Sequence, residues 1–160
     1  MIIQILEDAL FAAIAAIGFS AISRPPRRAY LWCALIAAAG HSARMVLMEY
    51  GGMHIAAAST AGAFVVGVLA VFLSPVAKTP AETCLFPALL PMIPGIYAYK
   101  AFGGLAMCVL HSQEPTFDRY YSLFAQNSML CMCILLGMVV GATLPIFMFK
   151  NVSFRATRDL

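Results

Sequence analysis

From Ile3 to Ile22 the chain carries only two ionisable side chains, Glu7 and Asp8, and stretches of similar length and apolarity recur along the rest of it. A run of about 20 apolar residues is what a helix needs to cross a hydrocarbon core about 30 Å thick. Lipid offers backbone amides no water to bond, so a continuous apolar run enters it only as a helix that pairs its own N–H and C=O groups. The recurrence of these runs confines the chain to a bundle of membrane-spanning helices. Composition agrees: of 160 residues, 62% are hydrophobic and 11% are charged, with a mean hydropathy of +0.89, whereas soluble domains carry roughly 25% charged residues. With short loops this length holds about five spans and leaves no room for a separate soluble domain.

The expected spans lie at about 3–22, 29–48, 54–73, 83–110 and 122–149 of a single transmembrane domain, 1–160. Arg24-Pro25-Pro26-Arg27-Arg28 separates the first two, because it neither continues a helix nor enters lipid. Glu49-Tyr50-Gly51-Gly52 closes the second and Ser74-Pro75 the third, and Lys150 marks the end of the fifth. The fourth is long and contains Pro87, Pro91, Pro94 and Gly95, so a break near 91–95 is expected instead of one straight rod. In the fifth, Gly137 and Gly141 have the small-xxx-small spacing that permits close helix contact. The predicted fold is an all-α integral membrane protein of about five transmembrane helices, the fourth broken by proline and glycine.

The formal charge of +3 does not point to nucleic acid, because the basic residues are scattered between apolar runs. They sort by side. Alternating crossings gather Arg24, Arg27, Arg28, Lys78, Lys150, Arg155 and Arg158 on one face, and Glu7, Asp8, Glu49, Glu114 and Asp118, with Arg119, on the other. The positive-inside rule then places the N-terminus outside and the C-terminal tail in the cytoplasm. Asn151-Val152-Ser153 matches a glycosylation pattern by chance in such a tail. The first run lacks a preceding basic segment and is expected to stay in the mature protein. The five cysteines lie in or beside apolar stretches as small hydrophobes, with no disulfide framework, no zinc spacing and no cofactor signature. The methionines and Cys131-Met132-Cys133 read as packing, not as a metal site.

Polar groups inside the spans carry the functional reading. His41 and Arg44 are three residues apart, on one helix face. Counted from Ala29 they sit about 18 Å and about 22 Å into the layer. Ionisable groups at that depth mark a path or a site. Arg44 suits a carboxylate and His41 a proton; the alternative is that Arg44 snorkels to the outer headgroups beside Glu49 while His41 bonds a neighbouring backbone carbonyl. Asp8 is either a coupling carboxylate or a solvated acid at the interface, where the helix N-terminus favours it. Pro91, Pro94 and Gly95 interrupt the fourth span, either as a broken helix that lines a wet cavity and aims its ends at substrate or as a plain kink whose freed carbonyls neighbouring groups satisfy. Tyr97 and Tyr99 follow with hydroxyls, and Lys100 reaches an interface or pairs with an acid. No phosphate loop, nucleophile elbow or His-Glu-x-x-His helix occurs, so no enzyme is expected. The chain has no internal repeat, and many carriers pair two related halves, so a partner half is expected.

Asp8 with Gly18-Phe19, Pro26 and Arg28, Trp32-Cys33-Ala34, Gly40-His41 with Arg44-Met45, and Pro91-Met92-Ile93-Pro94-Gly95-Ile96 with Tyr99 together resemble the threonine/serine exporter family, in the small membrane subunit of its split, two-gene form. The resemblance spans most of the chain. It implies a larger partner subunit supplying the other membrane half, and export of threonine and serine or of dicarboxylates such as succinate. Arg24 and Lys100 depart from the family pattern, and an added cation near the path favours a second carboxylate. The competing reading is a non-transporting scaffold that stabilises a partner transporter. Coupling ion, stoichiometry and self-association stay open at this stage.

Overall fold

The computed structural model describes residues 2–153, so Arg155 and Arg158 lie outside the described residues. The described residues form helices α1 (Ile2–Ser23), α2 (Ala29–Glu49), α3 (Ile55–Ala77), α4 (Ala81–Leu89), α5 (Gly95–Leu110), α6 (Phe117–Met148) and the short α7 (Lys150–Ser153), with a 3₁₀ turn at Leu90–Met92. Four of them, α1, α2, α3 and α6, are long and apolar enough to cross a membrane singly; Ala81–Met92 and Gly95–Leu110, bent by 53° at the break, have together the length and apolarity of a fifth span or of a re-entrant loop. The protein is an all-α multi-pass membrane protein.

Local chemistry sets the helix ends. After α1 the backbone turns left-handed at Arg24 (φ 49°), whose amide donates to the Ser20 carbonyl at 3.0 Å, and Pro25 and Pro26 then stop the helix. Lys78 closes α3 the same way (φ 51°), its amide and that of Thr79 reaching back to Pro75 and Ser74. His54 caps the start of α3, its Nδ1 accepting from the Ala56 amide at 3.3 Å. In the fourth span Pro91 and Pro94 lack amide donors, so the α-helical ladder gives way to the 3₁₀ turn and restarts at Gly95. α6 begins at Phe117, ahead of the expected start near 122, because a helix needs no lipid around its first turns to bond its own backbone.

The described residues divide into two compact units, one of residues 2–92 and 137–153, the other of residues 93–136. In the first, α2 packs against α1, α3 and α4. Its interior is built from small side chains, among them Ala16, Cys33, Ala37, Ala58 and Ala70, all fully buried. Membrane helices gain nothing from apolar burial against apolar lipid and associate by close van der Waals approach, which small residues allow. Gly137 and Gly141 show this directly: both press the last turns of α6 onto Thr60 of α3, leaving no space for a Cβ. The face of α1 bearing Leu6, Leu10, Phe11 and Ile14 is exposed, as a lipid-facing surface should be. In the second unit α5 and the first part of α6 form a hairpin that closes at Gly104, where a Cβ would come 2.7 Å from the Phe124 amide nitrogen.

Candidate functional site

α1 and α2 are joined by a short turn and pack as antiparallel neighbours. Asp8 lies about 9 Å along α1 from its start at Ile2, and His41 about 12 Å from the end of α2 at Glu49. The two therefore meet at one level. His41, only 6% exposed, places Nδ1 3.1 Å from Asp8 Oδ2, and the half-buried Arg44 brings Nη2 to 3.3 Å from the same Nδ1. Arg44 thus turns back along its own helix toward His41.

One ring nitrogen carries either a proton or a lone pair. With a proton, Nδ1 donates to the Asp8 carboxylate. Without one, it accepts from the Arg44 guanidinium. The two contacts exclude each other at any instant, so where its proton sits decides whether His41 bonds the Asp8 carboxylate or the Arg44 guanidinium. The other nitrogen, Nε2, is buried with no hydrogen-bond partner, and the backbone of Pro91 approaches the ring without reaching hydrogen-bond geometry. The Asp8 side chain, 34% exposed, is the wetter end of the cluster.

Two glycines let the broken span reach this place. A Cβ on Gly40, next to His41, would collide with the Val66 side chain, so glycine is what allows α2 and α3 to cross here. A Cβ on Gly62 would come 2.9 Å from Met92 Cε and 3.1 Å from Arg44 Cβ. Met92, 1% exposed and next in sequence to Pro91, therefore wedges the 3₁₀ turn into the α2–α3 crossing beside the cluster.

Of the residues singled out in the sequence, the structure brings together Asp8, His41, Arg44 and the backbone of Pro91. Pro94, Gly95, Tyr97 and Tyr99 belong to the second unit, where Pro94 is buried just before α5, Tyr97 is half-buried and Tyr99 is 78% exposed. Gly95 opens α5 without a left-handed φ, and a Cβ there would meet nothing. Sequence reasoning missed Gly62 and Met92, which look like ordinary span residues, and Ser59, whose buried hydroxyl has no partner. Only the placement of Gly40 beside His41 hinted at a close crossing.

Residues 8–148 match the family described as threonine/serine exporter, ThrE. The chain belongs to the threonine/serine exporter family. An uncharacterized protein of Haemophilus influenzae is 35% identical over 150 residues, a match covering 92% of this chain and 48% of that relative. The chain therefore spans about half the length of the curated relative it matches. No solved structure matches it. Asp8, His41, Arg44 and Pro91 all fall within the matched region.

Proposed function

We propose that the chain is one subunit of a secondary exporter that moves small carboxylate-bearing metabolites outward, threonine and serine or dicarboxylates such as succinate, together with a larger membrane subunit of the same family. The observation that carries this reading is the shared Nδ1 of His41, set between Asp8 and Arg44 inside the helix bundle. Family membership supports the transport class, and the longer Haemophilus influenzae relative supports a missing half. The membrane is the bacterial inner membrane, with the N-terminus outside and the C-terminus in the cytoplasm, as the distribution of basic residues suggests.

The chemistry runs as a proton exchange. With Asp8 ionised, Nδ1–H of His41 bonds to it, and the guanidinium of Arg44 is free to hold a substrate carboxylate in a two-pronged contact. When Asp8 takes up a proton from the outer side, it no longer draws Nδ1–H. The neutral imidazole then exchanges protons with water to take the tautomer protonated on Nε2, and bare Nδ1 accepts from Arg44. The charged donor outcompetes the neutral carboxylic acid for that lone pair. Arg44 then holds substrate less well, and the carboxylate leaves. Loss of the Asp8 proton to the cytoplasm resets the site, so one proton enters as one substrate departs.

The test is export from cells expressing this chain alone, the larger subunit alone, or both, scored for threonine, serine and succinate. Export of at least one of them is expected to require both chains. Export that is unchanged without this chain would overturn the reading, and export that needs the chain but not Asp8, His41 or Arg44 would make it a scaffold.

A further inference from the structure

Ser59 breaks a pattern in the first unit. Its side chain is fully buried, and its hydroxyl has no hydrogen-bond partner. The other buried hydroxyls among the described residues are satisfied: Ser20 donates to the Ala16 carbonyl at 2.7 Å, Ser74 to that of Val71 at 2.9 Å, and Thr79 pairs with the Cys84 thiol. Thr60, next in sequence, donates to the Ala56 carbonyl at 2.9 Å. A helical serine or threonine ordinarily bonds back to its own backbone in this way. A buried one that leaves the bond unmade is costly unless another partner meets it.

Its position says what that partner touches. Ser59, Gly62 and Val66 are spaced i, i+3 and i+7, one stripe of α3. That stripe faces α2, for Val66 lies against Gly40, and a Cβ on Gly62 would stand 3.0 Å from the Gly40 carbonyl oxygen and 3.1 Å from Arg44 Cβ. Ser59 is one helical turn further along, about 5–6 Å from Gly62 between Cβ positions. Once Arg44 is released from Nδ1 of His41, its guanidinium works about one turn from the Ser59 hydroxyl. A small hydroxy acid bridges such a gap with a hydrogen bond at each end.

We infer that Ser59 is a specificity-determining residue of the exporter site: while Arg44 holds the substrate carboxylate, the Ser59 hydroxyl bonds the hydroxyl of serine or threonine. This rests on the reading above that Arg44 binds substrate. Room for a hydroxyl alone separates threonine poorly from its isostere valine. A buried polar group that the substrate must satisfy separates them strongly, because valine leaves it unpaired.

The experiment follows labelled threonine exchange in proteoliposomes holding this chain and its larger subunit, with unlabelled threonine or valine as competitor. In wild type, threonine is expected to compete at a concentration at least tenfold below that of valine. Ser59→Ala is expected to raise the half-inhibiting concentration of threonine roughly tenfold and to leave that of valine unchanged or lower. Ser20→Ala, which removes a buried hydroxyl bonded within its own helix, should change neither. If Ser59→Ala does not accumulate, Ser59→Cys, close in size with a weak donor, should lower the same preference. An unchanged preference in these Ser59 variants, or equal weakening of both competitors, would overturn the inference and leave the exporter reading standing. So would a wild-type pair that exports succinate but neither threonine nor serine. A wild-type pair that moves none of the three would instead sink the exporter reading itself.

Discussion

Asp8 Oδ2 and His41 Nδ1 lie 3.1 Å apart, joining residues 33 positions apart in sequence across the first helix pair. The contact gives Asp8 a buried partner, where the sequence also allowed a solvated interfacial acid. It also makes His41 the link between the acid and Arg44, whose Nη2 is 3.3 Å from the same nitrogen.

His41→Gln tests that link. Glutamine can bond to Asp8 but cannot move a proton between two nitrogens. Proton-driven export should fall roughly tenfold or more, a difference of about 1.4 kcal/mol or greater in the rate-limiting barrier, while assembly in the membrane persists. The measurement is initial export rate against external pH, with chain abundance checked by quantitative blotting.

Arg44 should distinguish charge from shape. A guanidinium presents a rigid fork that matches a carboxylate, and an ammonium does not. Arg44→Lys is expected to raise the half-saturating substrate concentration roughly tenfold, and Arg44→Ala more steeply, by losing about 2 kcal/mol or more of charge-assisted bonding. Substrate-dependent thermal stabilisation of the purified pair reads both.

The α2–α3 crossing should be intolerant of bulk where the broken span wedges in. Gly62→Leu forces a side chain against Met92 and Arg44, and such overpacking costs about 1–3 kcal/mol. A lowered unfolding temperature in detergent is expected. Gly95→Ala, with open space around its Cβ and no left-handed backbone, should leave that temperature unchanged.

The apolar helices were legible because hydropathy is a property of the chain alone, but α3 runs through Pro75 to Ala77, past the expected stop at Ser74-Pro75. The break at Pro91 and Pro94 followed from missing donors, and the Gly137–Gly141 contact from spacing. The meeting of Asp8 with His41 was not legible, since it depends on the level at which two antiparallel helices settle. Met92 was not legible either, because an apolar side chain gives no sign of whether it faces lipid or wedges a crossing. The first turns of α6 were missed because Asp118 and Arg119 end the apolar stretch without ending the helix.

The turn between α5 and α6 carries its own titration. The His111 ring, with Nδ1 2.9 Å from Glu114 Oε2, pairs with the carboxylate and holds it below its usual range. A depressed carboxylate favours the folded turn above its unfolded value and loses that contribution as pH falls through the folded one. The contact should therefore be present at neutral pH and vanish on acidification below the ordinary carboxylate value of 4.5. In His111→Gln, the titration midpoint of Glu114, followed by carbon NMR of the labelled side chain, should rise toward that ordinary value.

The most direct measurement uses proteoliposomes containing both subunits and compares wild type with Asp8→Asn in two modes: threonine export driven by an imposed proton gradient, and threonine-for-threonine exchange with no gradient. Asparagine keeps the shape and a bond to His41 but cannot carry the proton. Gradient-driven export should collapse while exchange continues. Equal gradient-driven export by the two proteins would contradict a coupling role for Asp8, and with it the exchange of a proton for a substrate through His41 and Arg44.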